Sequence, residues 1–259
     1  MVQEMDPPTA LALLEWQLEL GVDTAVGDAP LDRFEAVAVS RPAAVPAAVV
    51  PAAAPMPPAG DPVAAARAAA AAAQDLAALT AALADYPHCE LKRGARTTVF
   101  ADGRPEARVM VIGEAPGREE DLEGRPFVGR AGRLMDRMFA AIGLARDAAD
   151  ARRALYVTNI LPWRPPQNRE PTREEAAMLL PFVERHVALA DPDILVLMGN
   201  TPLAALTGSR GILRARGQWR EVLGRPALPM THPAYLLRNP VAKREAWADL
   251  LALEARLGR

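Results

Sequence analysis

A single cysteine, Cys89, stands in a chain of 259 residues. That excludes an internal disulfide, and with it any metal or iron–sulfur centre held mainly by thiolates. The histidines are only three, His88, His186 and His232, which argues against a zinc site. No apolar run is long enough to cross a bilayer. The first residues include Glu4 and Asp6 and lack the basic start of a secretory signal, so a cytoplasmic location is expected. Lysine is also scarce, since beyond residue 84 only Lys92 and Lys243 accompany the arginines.

What is abundant is unevenly placed. Residues 1–84 carry 3 basic and 10 acidic side chains, whereas residues 85–259 carry 27 basic and 22 acidic ones, so the small net charge of −2 conceals a basic C-terminal part. A planar, forked guanidinium suits phosphate oxygens, which points to a polyanionic partner. A general preference for arginine codons accounts for the bias equally well. Residues 1–35 read as an acidic amphipathic arm, with Leu11, Leu14 and Leu18 on one face and Trp16 beside them as a further anchor for a partner protein's groove. Residues 36–62 repeat Ala and Pro and read as an extended tether. An alanine-rich helix is expected over 63–84, stabilised by propensity more than by burial, ahead of a folded domain over 85–259.

In that last part short apolar runs alternate with helical stretches. Arg108 to Ile112, Leu155 to Ile160, Ile194 to Met198 and Ala227 to Met230 have strand length, and Arg133–Ile142 and Arg173–Ala190 have helical periodicity. The order predicts an α/β fold, a three-layer α/β/α sandwich with a short, mostly parallel sheet. Ligands in such folds sit beyond the carboxyl ends of the strands. Each conspicuous motif follows one of these strands. Gly113-Glu114-Ala115-Pro116-Gly117 and the acids Glu119, Glu120 and Asp121 follow the first, Asn159 closes the second, Gly199-Asn200 follows the third, and Thr231-His232-Pro233 follows the fourth. Glycines allow a flat ring to lie against main chain, and the spacing lacks the lysine and hydroxyl residue of a phosphate loop. Asn159 can donate and accept, as pairing with the polar edge of a flat ring requires, although an ordinary strand-end cap explains it too.

These motifs, with Gly124-Arg125-Pro126-Phe127-Val128-Gly129-Arg130-Ala131-Gly132, Arg164-Pro165-Pro166, Asn168-Arg169 and His232-Pro233-Ala234-Tyr235-Leu236-Leu237-Arg238-Asn239-Pro240, resemble the family-four uracil-DNA glycosylases in order and spacing, over roughly Tyr86 to Leu257. The resemblance implies removal of uracil from DNA by cleavage of the N-glycosidic bond. It implies Phe127 stacking on the extruded base, Asn159 reading its polar edge, and backbone around Gly113 and Ala115 contacting a carbonyl. It implies His232 donating to the uracil oxygen that gains charge, and Glu114 or Glu120 orienting water or stabilising the sugar cation. Arg130, Arg164, Arg169, Tyr235, Leu237 and Arg238 would meet DNA, with Leu236 and Leu237 alternatively serving as core. The resemblance also implies a nucleoid-associated location and an acidic arm that docks a repair or replication protein or folds back on the basic cleft.

One departure is plain. Typical members hold a four-iron cluster on four cysteines, and in that register Cys89 matches one ligand while Tyr86, Trp163 and Leu179 occupy the others. The expectation is a monomer without cofactor or metal, in which these four side chains form a hydrophobic plug. A protein that binds uracil or abasic DNA without turnover is the alternative. A small-nucleotide hydrolase is disfavoured by the lack of a magnesium-binding carboxylate cluster.

Overall fold

The computed structural model describes Asp6, Leu11 and residues 61–258. The chain divides into two units, Met1–Met56 and Pro57–Arg259. Of the first, Leu11 is helical and exposed and Asp6 is exposed, while the rest of the expected arm, and the expected tether up to residue 60, lie outside the described residues.

The second unit opens with two helices, α1 (Pro62–Ala72) and α2 (Leu76–Asp85), where a single helix was expected over 63–84. The break has local causes. Asp61 caps α1 by accepting from the Val63 amide at 2.9 Å, and Asp75 caps α2 by accepting from the Ala78 amide at 2.7 Å. Between them the Ala73 carbonyl, left over by α1, accepts from Arg185 Nε and Nη2 at 3.0 and 2.7 Å. Burial also matters more than expected, because Ala66, Ala70, Ala73, Leu79 and Leu83 join the same core cluster as sheet residues Met110 and Ile112. The boundary expected at residue 85 therefore does not separate two packing units.

After a short helix, α3 (Leu91–Gly94), the chain builds a sheet from β1 (Ala101–Gly103), β2 (Val109–Gly113), β3 (Leu155–Asn159), β4 (Ile194–Met198), β5 (Arg220–Val222) and β6 (Arg225–Met230). Its spatial order is β1-β3-β2-β4-β6-β5. The inner strands β3, β2, β4 and β6 are parallel, and β1 and β5 add antiparallel edges. The inner four are the four runs read from hydropathy. Every residue of β2, β3 and β4 is buried, as expected for strands covered on both faces.

The helices that cover them are α4 (Arg118–Glu123), α5 (Arg130–Ala140), α6 (Arg173–Ala190), α7 (Asn200–Thr207), α8 (Ile212–Ala215), α9 (Pro233–Arg238) and α10 (Lys243–Arg256). Alternate strand residues face opposite layers. Met110, Ile112, Leu195 and Leu197 pack with Leu179 and Val183 of α6 and Leu203 of α7, while Val109, Val111, Ile194 and Val196 pack with Met135 and Phe139 of α5 and Leu250 and Leu253 of α10. The three-layer expectation holds. Among the described residues no helix is long and apolar enough to cross a membrane.

Topology fixes where a ligand can bind. From β2 the chain adds β3 on one side and then returns to place β4 on the other, so the strand order reverses at the carboxyl end of β2. Loops leaving adjacent strands diverge at such a point and open a crevice. The residue at that point is Gly113.

Candidate active site

The crevice is a cleft of about 630 Å³ walled by Glu114, Ala115, Phe127, Asn159, Thr231 and His232, with Tyr235 and Arg238 towards its mouth. Loops following β2, β3, β4 and β6 all reach it, so the motifs read from four separate strand ends converge. Gly113 lies beneath. A Cβ built there would stand 2.4 Å from Asn159 Oδ1 and 2.4 Å from Phe127 Cζ, so this ring and this amide close over the strand only because Gly113 has no side chain. The loop is held against β3 by backbone bonds from Ile160 and Leu161 to the carbonyls of Gly113 and Glu114, at 2.9 and 3.0 Å.

Phe127 has a backbone φ of 56°, in the left-handed region that a bulky residue rarely adopts. Two features hold it there. Arg146, largely buried, donates to the carbonyls of Pro126 and Phe127 at 2.6 Å each and pairs with Asp102 and Asp136 at 2.9 and 2.8 Å. Gly132 lets the same loop press onto α5, where a Cβ would lie 1.7 Å from the Phe127 carbonyl oxygen. The Phe127 ring then stacks towards His232, with centroids 5.5 Å apart and planes inclined by 30°.

The acidic run separates into distinct roles. Glu120 clamps two glycine turns together, its carboxylate accepting from the amides of Gly117 at 3.0 Å and Gly129 at 2.9 Å. Asp121 is buried and receives the amides of Arg96 and Thr97. Glu119 pairs with Arg133 at 3.4 Å. Glu114 alone turns its side chain to Thr201, whose hydroxyl donates to it. Burial raises the Glu114 pKa above the usual carboxylate range, the Thr201 hydrogen bond opposes this, and Glu170 adds to it.

His232 caps α9 by accepting the Ala234 amide on Nδ1 at 3.1 Å. An amide only donates, so the proton of the neutral ring sits on Nε2. Burial first and the Arg238 cation second push its pKa down to about 4, with Glu120 acting in the opposite sense. The imidazole is therefore a neutral donor near pH 7. Asn159 Oδ1 and Thr231 Oγ1 are buried with no hydrogen-bond partner, and both residues line the cleft. Unpartnered buried acceptors cost stability, which a bound donor would restore.

The other predicted residues scatter by degrees. Arg169 lines the cleft, but Glu175 engages its guanidinium at 2.9 and 2.6 Å while also capping α6. Arg164 donates to Asn168 Oδ1 at 2.7 Å and lies behind the wall. Leu236 is fully buried against Leu134 and Ala246, so of the leucine pair it is core. Leu237 and Arg130 line a neighbouring groove. Thr201 and Arg146 had no signal in the sequence, because each acts through a partner far along the chain.

Tyr86, Cys89, Trp163 and Leu179 are buried in one core cluster. The Tyr86 hydroxyl donates to the Pro62 carbonyl at 2.6 Å, and its ring meets Phe182 edge-on at 5.3 Å. Trp163 Nε1 donates to Thr98 Oγ1 at 3.1 Å. Burial raises the Cys89 thiol pKa and keeps it protonated. These side chains do not fit a four-thiolate cluster.

Residues 100–251 match the model of the uracil DNA glycosylase superfamily, and this span contains every cleft residue named above. A type-4 uracil-DNA glycosylase of Thermotoga maritima is 36% identical over 154 residues, 58% of this chain and 77% of that protein. One of Sulfurisphaera tokodaii is 35% identical over 165 residues, 59% and 71% of the two chains. One of Archaeoglobus fulgidus is 34% identical over 170 residues, 62% and 82%. With the four strand ends meeting in one cleft and the family match running through all of them, the chain belongs to the uracil DNA glycosylase superfamily.

Proposed function

We propose that this protein is a uracil-DNA glycosylase that draws uracil out of DNA and hydrolyses its N-glycosidic bond, starting base-excision repair. The observation that carries the reading is the buried, unpartnered Asn159 Oδ1 beside the Phe127 ring in a cleft closed by His232. Uracil presents an N3–H that this oxygen can accept and an O4 that the Asn159 amide can donate to. Extrusion costs a few kcal/mol, which stacking on Phe127 and contacts to the backbone help recover.

Bond cleavage sends the C1′–N1 electron pair onto the uracil ring, where its charge collects on the O2 atom. His232 Nε2–H donates to that oxygen. A neutral donor fixed beforehand in a dry site stabilises the departing anion without reorganising, typically by several kcal/mol. Water then bonds to C1′ and gives up a proton, leaving free uracil and an abasic site. Glu114 is the carboxylate assigned to the sugar cation and this water, because Glu120 is already satisfied by two backbone amides. Glu120 acts instead by holding the two turns in register.

In a base-release assay on single-stranded uracil DNA, the wild type should yield free uracil and an alkali-labile site. His232→Ala and Asn159→Ala should each lower the rate by about 10²–10³-fold. A stable complex without base release would replace the enzyme by a uracil-binding protein.

The His232 environment gives a second test. Removing the Arg238 cation favours the protonated ring, so Arg238→Gln should move the His232 titration upward. Ring NMR should place the wild-type midpoint near the value of about 4 given by burial. A midpoint near 6.5 that ignores the substitution would contradict the proposed neutral donor.

We further infer that the chain carries no iron–sulfur cluster and that Tyr86, Cys89, Trp163 and Leu179 pack the equivalent volume. One cysteine in the whole sequence supports this. Purified protein should be colourless; broad visible absorbance with stoichiometric iron would overturn the inference.

A further inference from the structure

Beside the uracil cleft runs a second concavity of about 680 Å³, lined by Arg130, Arg133, Asp136, Arg137 and Leu237. Three of its walls come from one helix face, since positions i, i+3 and i+7 of α5 fall on one side. The opposite face of α5 is buried through Gly132, Met135 and Phe139, and Arg130, Arg133 and Arg137 are exposed. Asp136 does not neutralise them, because Arg146 engages it from behind at 2.8 Å. Arg133 has an exposed pair with Glu119 at 3.4 Å and donates to the Val128 carbonyl at 3.1 Å, which carries no charge to offset it. Neither Arg130 nor Arg137 has an acidic partner among the described residues. The groove is thus a cationic surface seven residues long, about 10 Å along the helix, close to the rise of three base pairs.

Its position relative to the cleft gives it a meaning. Helix α9 packs on α5 through Leu236 and Leu134. From the same short helix Ala234, Tyr235 and Arg238 face the uracil cleft, whereas Leu237 faces the arginine groove. The helix is a ridge with a pocket for a base on one side and a row of cations on the other. When one strand delivers its base into the cleft, the ridge fills the vacated place in the stack, and the other strand of the duplex is left on the far side.

We propose that the α5 groove holds phosphates of the strand opposite uracil, so that it serves duplex DNA specifically. The proposal rests on the glycosylase reading for the strand in the cleft and for the entry of α9 into the stack. Phosphate contacts position a duplex without reading its sequence, and each contact contributes to the salt dependence of binding.

The test is equilibrium binding of the full chain to uracil-free duplex and to the matching single strand across a salt series, for wild type, Arg137→Gln and Arg133→Gln/Arg137→Gln. Both side chains are exposed, and circular dichroism reports whether the variants fold. Duplex affinity should fall about tenfold in the double variant near physiological salt. The slope of log affinity against log salt should flatten by about one for each arginine that meets a phosphate, while single-strand affinity stays unchanged. Equal loss on both substrates would overturn the assignment, because the groove would then follow the uracil-bearing strand. No loss on either would remove it as a DNA surface. Uracil release by the wild type, measured separately, decides the glycosylase reading whichever way the binding data fall.

Discussion

The end of β2 approaches two side chains more closely than any residue with a Cβ allows. Asn159 leans in from the neighbouring strand, and the Phe127 ring folds over from the loop after α4, both against the bare Cα of Gly113. Much of the site elaborates this contact. Arg146 and Gly132 keep Phe127 in a left-handed backbone conformation, Glu120 ties the two glycine turns together, and backbone bonds from Ile160 and Leu161 hold the first turn against β3. The slot that results is flat, apolar on one wall and polar at its edge.

Electrostatics sharpen the slot for one direction of charge flow. Burial and Arg238 keep His232 neutral and oriented by Ala234, so its Nε2 proton is available before any bond breaks. Burial makes Glu114 harder to ionise, and Thr201 compensates in part. In the proposed reaction this puts a donor where an anion would leave and a carboxylate where a cation would form, each with its hydrogen-bonding supplied by the protein. In the same proposal the uracil edge completes the buried Asn159 Oδ1, which has no partner in the protein.

Much of this was legible from residue order. The four inner strands, the helix over Arg173–Ala190 and the convergence of four strand-end motifs follow from hydropathy and from the rule that ligands sit at strand carboxyl ends. The edge strands β1 and β5 are three residues each and carry no period to detect. Asp75 could have announced the break in the alanine-rich stretch, but the role of Arg185 in closing it depends on a partner over a hundred residues away. Partners in other elements of the chain likewise hid Arg146 and Thr201. Glu175 engages the Arg169 guanidinium from six residues along, a pairing hydropathy does not show, and Leu236 is core because α9 turns it onto α5.

Backbone geometry allows the central contact to be probed alone. Gly113 is absent from the positive-φ residues, so alanine suits its conformation and tests only the space. Gly113→Ala should reduce uracil release from single-stranded DNA by about 100-fold or more, since displacement of Phe127 and Asn159 by even an ångström spoils the reacting geometry, and affinity for uracil-free DNA should be unaffected. An alanine variant that releases uracil at the wild-type rate would show that the ring and the amide do not need this approach, and the account would fail with it.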